Sequence, residues 1–175
     1  MSSNLQDRIS LDLIKKIEIR QIKEQDKEAF VELSLALTKF NKQQHDKHYP
    51  DFQEILDVRK KRVEEAFDKI IKYTSKVIIM AFDDGMPVGY LKAYIHDFKL
   101  RVGCLDELFI KEEARGQAIG KKLLDAGTQW MKEKNVVRMI ASVYLWNTSA
   151  RTFYEQGGFK EYSVFCEKAI GPANE

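Results

Sequence analysis

The chain has 175 residues, 44% of them hydrophobic and 32% charged, with a formal net charge of +2. That length suits one domain whose own core holds it without disulfide or metal. The balanced, intermixed charge argues against a nucleic-acid surface, and the longest apolar runs, such as residues 77–82, are far too short to span a bilayer.

Leu5, Ile9, Leu13 and Ile17 recur every four residues and predict a short amphipathic helix, so residues 1–16 read as a helical extension ahead of a domain over 17–170. The charged residues among them interrupt any signal-peptide core, and the cytoplasm is the expected address. Ile17 to Ile22 alternates like a first strand. Asp26 then offers an N-cap to a helix carrying Phe30, Leu33, Leu37 and Phe40, which the polar segment Asn41 to Asp51 is expected to break. A second helix follows with Val58, Val63, Phe67 and Ile70 as its stripe. The run Arg59-Lys60-Lys61-Arg62 within it reads as a solvated face. Val77 to Phe82 and Pro87 to Phe98 are strands joined by the hairpin chemistry of Asp83-Asp84-Gly85. Gly103 to Ile110 is a third, and a helix over about Ala118 to Asn135 carries Ile119, Leu123, Ala126 and Trp130 on one face. Met139 to Leu145 reads as a strand, Ser149 to Gln156 as a helix, and Phe159 to Lys168 as a last strand. Cys104 and Cys166 fall in two of these strands, away from any CxxC spacing, and are expected to be buried, inert thiols.

The stretch from Leu105 to Leu124 carries the chemistry. A strand runs into a short loop of small residues with an arginine, and a helix starts at once. The first amides of a helix have no intrahelical partner and sit at the positive end of its dipole. Small residues let a phosphate approach them, and Lys121 and Lys122 add charge. Arg115 to Lys121 is therefore a predicted phosphate or pyrophosphate seat. It is not a P-loop, because only three residues separate Gly116 from Gly120 and Lys122 follows Lys121 where Ser or Thr is needed. Nor is it a GxGxxG dinucleotide turn.

Arg115-Gly116-Gln117-Ala118-Ile119-Gly120 resembles the (Arg/Gln)-x-x-Gly-x-(Gly/Ala) loop of the GNAT family of N-acetyltransferases. Asn147, Ala150, Phe153-Tyr154 and Gly158-Phe159 resemble that family's second signature. The resemblance covers roughly residues 17–168, and only Ala118 departs from it, standing where the loop has its central glycine. It implies an α/β (α+β) fold: a mixed, strongly twisted central sheet of six or seven strands flanked by about four helices. It also implies that acetyl-CoA is the co-substrate, with its pyrophosphate on the Arg115, Gly116, Gln117, Ala118, Ile119, Gly120 and Lys121 loop. The pantetheine arm would lie along Leu108-Phe109-Ile110, with Asn147 bonding it from the other side.

The expected reaction is direct acetyl transfer to a primary amine of a small or polyamine-like acceptor. A protein or peptide amine, or a non-catalytic acyl-CoA sensor of the same fold, stands as the alternative. Asp106 or Glu107 would attract the ammonium and relay its proton; being adjacent on a strand, they are expected to face opposite sides, so that only one meets the cleft. A backbone N–H within Leu108–Ile110 would meet the oxyanion, and Tyr154 would protonate the leaving thiolate. No metal is expected, His45 and His48 having no further ligand in sequence reach. His96, Tyr49, Phe52 and Tyr94 are candidates for the acceptor mouth. Neither a nucleic acid nor a membrane is an expected partner, whereas a homodimer is compatible with the resemblance.

Overall fold

A computed structural model describes residues 17–48, 56–166 and 168; the expected N-terminal helix, Tyr49 and Phe52 lie outside them. The elements in chain order are β1 (Ile17–Gln21), a 3-10 turn (Glu24–Asp26), α1 (Lys27–His48), α2 (Leu56–Ile70), β2 (Lys76–Asp83) and β3 (Met86–Asp97). They continue with β4 (Val102–Ile110), a 3-10 turn (Glu112–Ala114), α3 (Ile119–Glu133), β5 (Arg138–Ala141) and α4 (Thr148–Gln156). The strands form one sheet in the order β1-β2-β3-β4-β5. The first three pairings are antiparallel and β4–β5 is parallel. The β2–β3 turn has Asp84 at φ 48° and Gly85 at φ 82°, the two positive values that a two-residue hairpin of right-handed twist requires.

The sheet separates two apolar layers because its strands send alternate residues to opposite faces. On one side Ile79, Ala81, Leu91, Ala93 and Leu105 meet Ile119, Leu123, Trp130 and Met131 of α3. On the other, Ile78, Met80, Phe82, Tyr90 and Phe109 meet Phe30 and Leu33 of α1 and Val63, Phe67 and Ile70 of α2. Asp26 does not cap α1 from the N-cap position. It closes the preceding turn by accepting the Lys23 N–H at 2.7 Å and holding Arg20 through both oxygens at 2.6 and 2.9 Å.

Three expectations need correcting. The polar residues from Asn41 do not end α1, which runs on to His48; Asn, Lys, Gln and His are tolerated on an exposed helix face, so polarity alone is no stop signal. The sheet has five strands among the described residues instead of six or seven, since residues 159–166 form none and β5 stops at Ala141. Alternating residues confer only the capacity to pair, and among the described residues no strand pairs with the outer edge of β5, which is only four residues long. Tyr162, Val164 and Phe165 are accordingly exposed, and so is Cys166, against the expectation of burial; Cys104 in β4 is buried.

Candidate active site

β4 is laddered on both sides only as far as Leu105. Its parallel pairing runs from Val102 opposite Arg138 to Leu105 opposite Ala141, and among the described residues nothing pairs with 106–110 on that side. Its antiparallel pairing with β3 continues to Ile110, and the Lys111 N–H donates to Val88 O at 2.8 Å. Backbone groups alternate along a strand, so Phe109 directs its N–H and C=O at β3 while Leu108 and Ile110 direct theirs at the open edge. Of the three strand residues expected to hold a pantetheine arm, only Leu108 and Ile110 therefore offer backbone groups. Phe109 instead fills the α1/α2 side of the core.

The N-terminus of α3 lies at the end of this edge. Gly116 takes φ +81° and Ala118 takes φ 57°, ψ 17°, as the N-cap. An alanine has no acceptor to offer the first turn, and no side-chain bond caps it. The Ile119, Gly120 and Lys121 amides are thus left without an intrahelical partner. Gly120 lets the turn sit close: a methyl group there would stand 3.1 Å from Ile110 Cδ1 and 3.2 Å from Phe153 Cε2. Ile119 is buried, so only its backbone can serve a ligand. Arg115 is exposed, its guanidinium 5.4 Å from the Phe40 ring and its Nε donating to Ile110 O at 3.2 Å. Lys121 pairs with Asp125 at 2.7 Å, an exposed i,i+4 contact of a few tenths of a kcal/mol that a phosphate can easily replace.

Asp106 and Glu107 depart from the expected opposite facing. The β3–β4 register is Lys92 opposite Glu107 and then Ala93 opposite Leu105, which leaves Asp106 as the extra residue of a β-bulge. The bulge resets the alternation, and both acids meet Lys92 Nζ, Asp106 at 2.8 Å and Glu107 at 2.9 Å. Their settings differ. Glu107, with a side chain 13% exposed, also accepts Arg59 Nη2 at 2.7 Å and the Tyr90 hydroxyl at 2.6 Å. Burial pushes its carboxyl up, but the Lys92 charge, the Tyr90 hydroxyl and the Arg59 charge outweigh this and hold it below the ordinary glutamate value. Burial likewise opposes the Lys92 charge, and the two carboxylates more than restore it. Asp106 is 39% exposed and bonded only to Lys92 among the described residues.

Tyr154, on α4, stacks edge-on with Phe153 and Phe159 at 5.3 and 5.2 Å. Burial, and secondarily the Cys104 thiol, push its phenol up to about 12. Cys104 is paired with Ile140, one residue before the β4–β5 ladder ends, so Tyr154 and the fork between these strands are neighbours. The Tyr94 hydroxyl is bonded to the same thiol, which with burial pushes it up to about 12. Asn147 is the N-cap of α4, its Oδ1 accepting the Ala150 N–H at 3.1 Å, so only its amide nitrogen is left to donate elsewhere. His96 lies exposed near the end of β3. His45 and His48 fall in the last turn of α1, with side chains outside the described residues.

The family model for the acetyltransferase (GNAT) family matches residues 36–159. This chain belongs to the GNAT family. An uncharacterized N-acetyltransferase of Archaeoglobus fulgidus is 29% identical over 112 residues, 61% of this chain and 75% of the relative. The fold is similar to that of the PaiA N-acetyltransferase from Thermoplasma acidophilum solved with coenzyme A: TM-score 0.72, 23% identity, 86% of this chain and 93% of that one. It is also similar to aminoglycoside N-acetyltransferase AAC(6')-Iy in complex with CoA, at TM-score 0.67 and 18% identity over 90% of this chain and 97% of that one.

As a GNAT acetyltransferase, the chain brings together the open β4 edge, the uncapped α3 amides and α4 around Gly120, as the two sequence signatures imply. Three participants went unread in the sequence. Lys92 carried a usable signal, since a lysine inside the apolar strand Val88 to Ile95 requires a partner. Arg59 was hidden in a charge run read as solvated, yet it alone of that run turns inward, at 24% exposure, to reach Glu107. Tyr90 was not singled out within its strand, and its hydroxyl partner lies 17 residues away in sequence.

Proposed function

We propose that this GNAT chain transfers the acetyl group of acetyl-CoA to a primary amine of a small acceptor, both substrates being bound at once. The observation that carries the reading is the open edge of β4 beside an α3 N-terminus with no capping side chain. Unpartnered amides at a helix start are an anion site, and Gly116, with open space where a side chain would stand, leaves the approach clear. The residues present thus fit a pyrophosphate, held by the Gly116 to Lys121 backbone with Arg115 and Lys121 beside it. Leu108 and Ile110 would hold the pantetheine amides through their edge-facing groups, with the Asn147 amide donating from the far side.

Acetyl-CoA supplies an activated acyl group whose leaving thiol has a pKa near 8.5. A lysine-like amine is protonated at neutral pH, so attack requires a proton acceptor. Asp106 suits that role better than Glu107. It stands at the bulge with part of its carboxylate in solvent, whereas Glu107 is closed in by Arg59, Tyr90 and Lys92. An edge-facing N–H of Leu108 or Ile110 would meet the charge developing on the carbonyl oxygen. Tyr154, protonated throughout the working range, would return a proton to the sulfur.

The test is the thermal midpoint of the purified chain with acetyl-CoA, against NADH and ATP. Acetyl-CoA at about 100 times its dissociation constant stabilises the fold by roughly 2.7 kcal/mol. A rise with acetyl-CoA alone, followed by thiol release on adding amines, supports the proposal. A rise with none of the three overturns it.

A further inference from the structure

The acid pair that would attract an amine is neutralised from within. Asp106 and Glu107 share Lys92 at 2.8 and 2.9 Å, and Glu107 also takes Arg59 at 2.7 Å. Two carboxylates face two cations, so the cluster carries no net charge at neutral pH. Neither cation is loosely placed. Lys92, 19% exposed, is held between Leu91 and Ala93, both fully buried, and Arg59 also approaches Ser34 Oγ at 3.5 Å.

A second ammonium taken from water into this cleft needs its own counter-charge. The charge of Glu107 is already met by Arg59 and Lys92 at Oε1, and its Oε2 accepts the Tyr90 hydroxyl in a side chain 13% exposed. On the same face Tyr94 is a neutral phenol bonded to Cys104, and it adds no negative charge. Among the described residues, Asp106 alone, touched at Oδ2 by Lys92, has room for one ammonium.

We propose that Lys92 is a specificity-determining residue. By neutralising the acid pair it leaves no counter-charge for a second ammonium, so that the acceptor is bound through a single amine and a polyamine gains no advantage over a monoamine. The proposal rests on the chain being an amine acetyltransferase, and it narrows the small or polyamine-like class that the sequence left open.

Thiol release from acetyl-CoA is measured for the full chain with pentylamine and with 1,5-diaminopentane, which differ by one terminal ammonium. The wild type is expected to show diamine and monoamine kcat/KM values within about threefold of each other, and Lys92→Arg to retain that ratio. Lys92→Gln, which can still hydrogen-bond both acids but lacks the charge, is expected to shift the ratio toward the diamine by about tenfold. A wild-type preference of about tenfold or more for the diamine overturns the proposal, even if no variant folds. So does an unchanged ratio in a Lys92→Gln protein that still binds acetyl-CoA. Release with neither amine, in a wild type that binds acetyl-CoA, removes the amine-transfer reading and the proposal with it; transfer with the wrong preference removes the proposal alone.

Discussion

Along β4 the protein treats its polar groups in opposite ways on two sides. Toward α3, backbone donors at the Ile110 edge and in the first turn of the helix meet no acceptor among the described residues, and the residue at the cap is an alanine. Toward α1 and α2, both oxygens of Glu107 are met by Arg59, Tyr90 and Lys92. A donor left open at an accessible edge marks where a ligand completes the structure. A carboxylate enclosed by three donors is part of the structure already. Asp106 stands between the two regimes, one residue from Glu107 yet half open to solvent.

The sharpest way to break this contrast is Glu107→Gln. If Glu107 is architectural, its loss leaves the Lys92 and Arg59 charges undercompensated in a largely buried site, at about 3 kcal/mol of folding stability in denaturant unfolding. Its charge also sets a pH signature. The folded carboxyl lies below its unfolded value, so its contribution is fully present above about pH 4.3 and fades as pH falls through the lower folded pKa. Acid unfolding of the glutamine variant should lack that component; identical stability–pH curves for variant and wild type contradict the assignment.

Asp106→Asn should do the reverse, lowering kcat/KM about a hundredfold while changing stability by less than about 1 kcal/mol, since its ion pair is partly solvated. A loss of stability matching that of Glu107→Gln would merge the two acids into one structural unit.

Tyr154→Phe tests the open side at the sulfur. A drop in kcat of roughly tenfold or more, with acetyl-CoA affinity kept, is expected of a lost general acid. Because the phenol is pushed up to about 12, it stays protonated through the alkaline range, and wild-type kcat should show no fall near the ordinary tyrosine value of about 10. An alkaline limb there that the phenylalanine variant abolishes would contradict the burial of Tyr154.

The smallest effect contrasts the two helix starts. Ala118→Gly should stabilise the ligand-free protein by about 0.5–1 kcal/mol, because the left-handed φ of 57° strains a residue with a Cβ. Asn147→Ala should destabilise it by about 1 kcal/mol through loss of the bond to the Ala150 N–H. Thermal midpoints without and with acetyl-CoA separate these stability changes from changes in binding.

The local geometry of the hairpin and of the loop leading into α3 was legible in the sequence, because its determinants are local. The turn Asp84-Gly85, the loop Arg115 to Gly120 and the start of α3 depend on residues within a few positions of one another. The side-chain preference of each for φ, for a cap or for close approach therefore reveals the geometry. Trp130, expected in the core from its place on the apolar stripe of α3, is buried there for the same reason.

The acid side was decided by tertiary structure. Alternation along β4 sends Asp106 and Glu107 to opposite faces, and only the register imposed by β3 inserts the bulge that brings both to Lys92. The partners of Glu107 come from 15, 17 and 48 residues away, on β3 and α2. Whether a carboxylate is an open base or a closed structural charge depends on what surrounds it in space. Local sequence specified the two acids, but the packing of α2 and β3 against β4 determined that one is enclosed and the other left accessible.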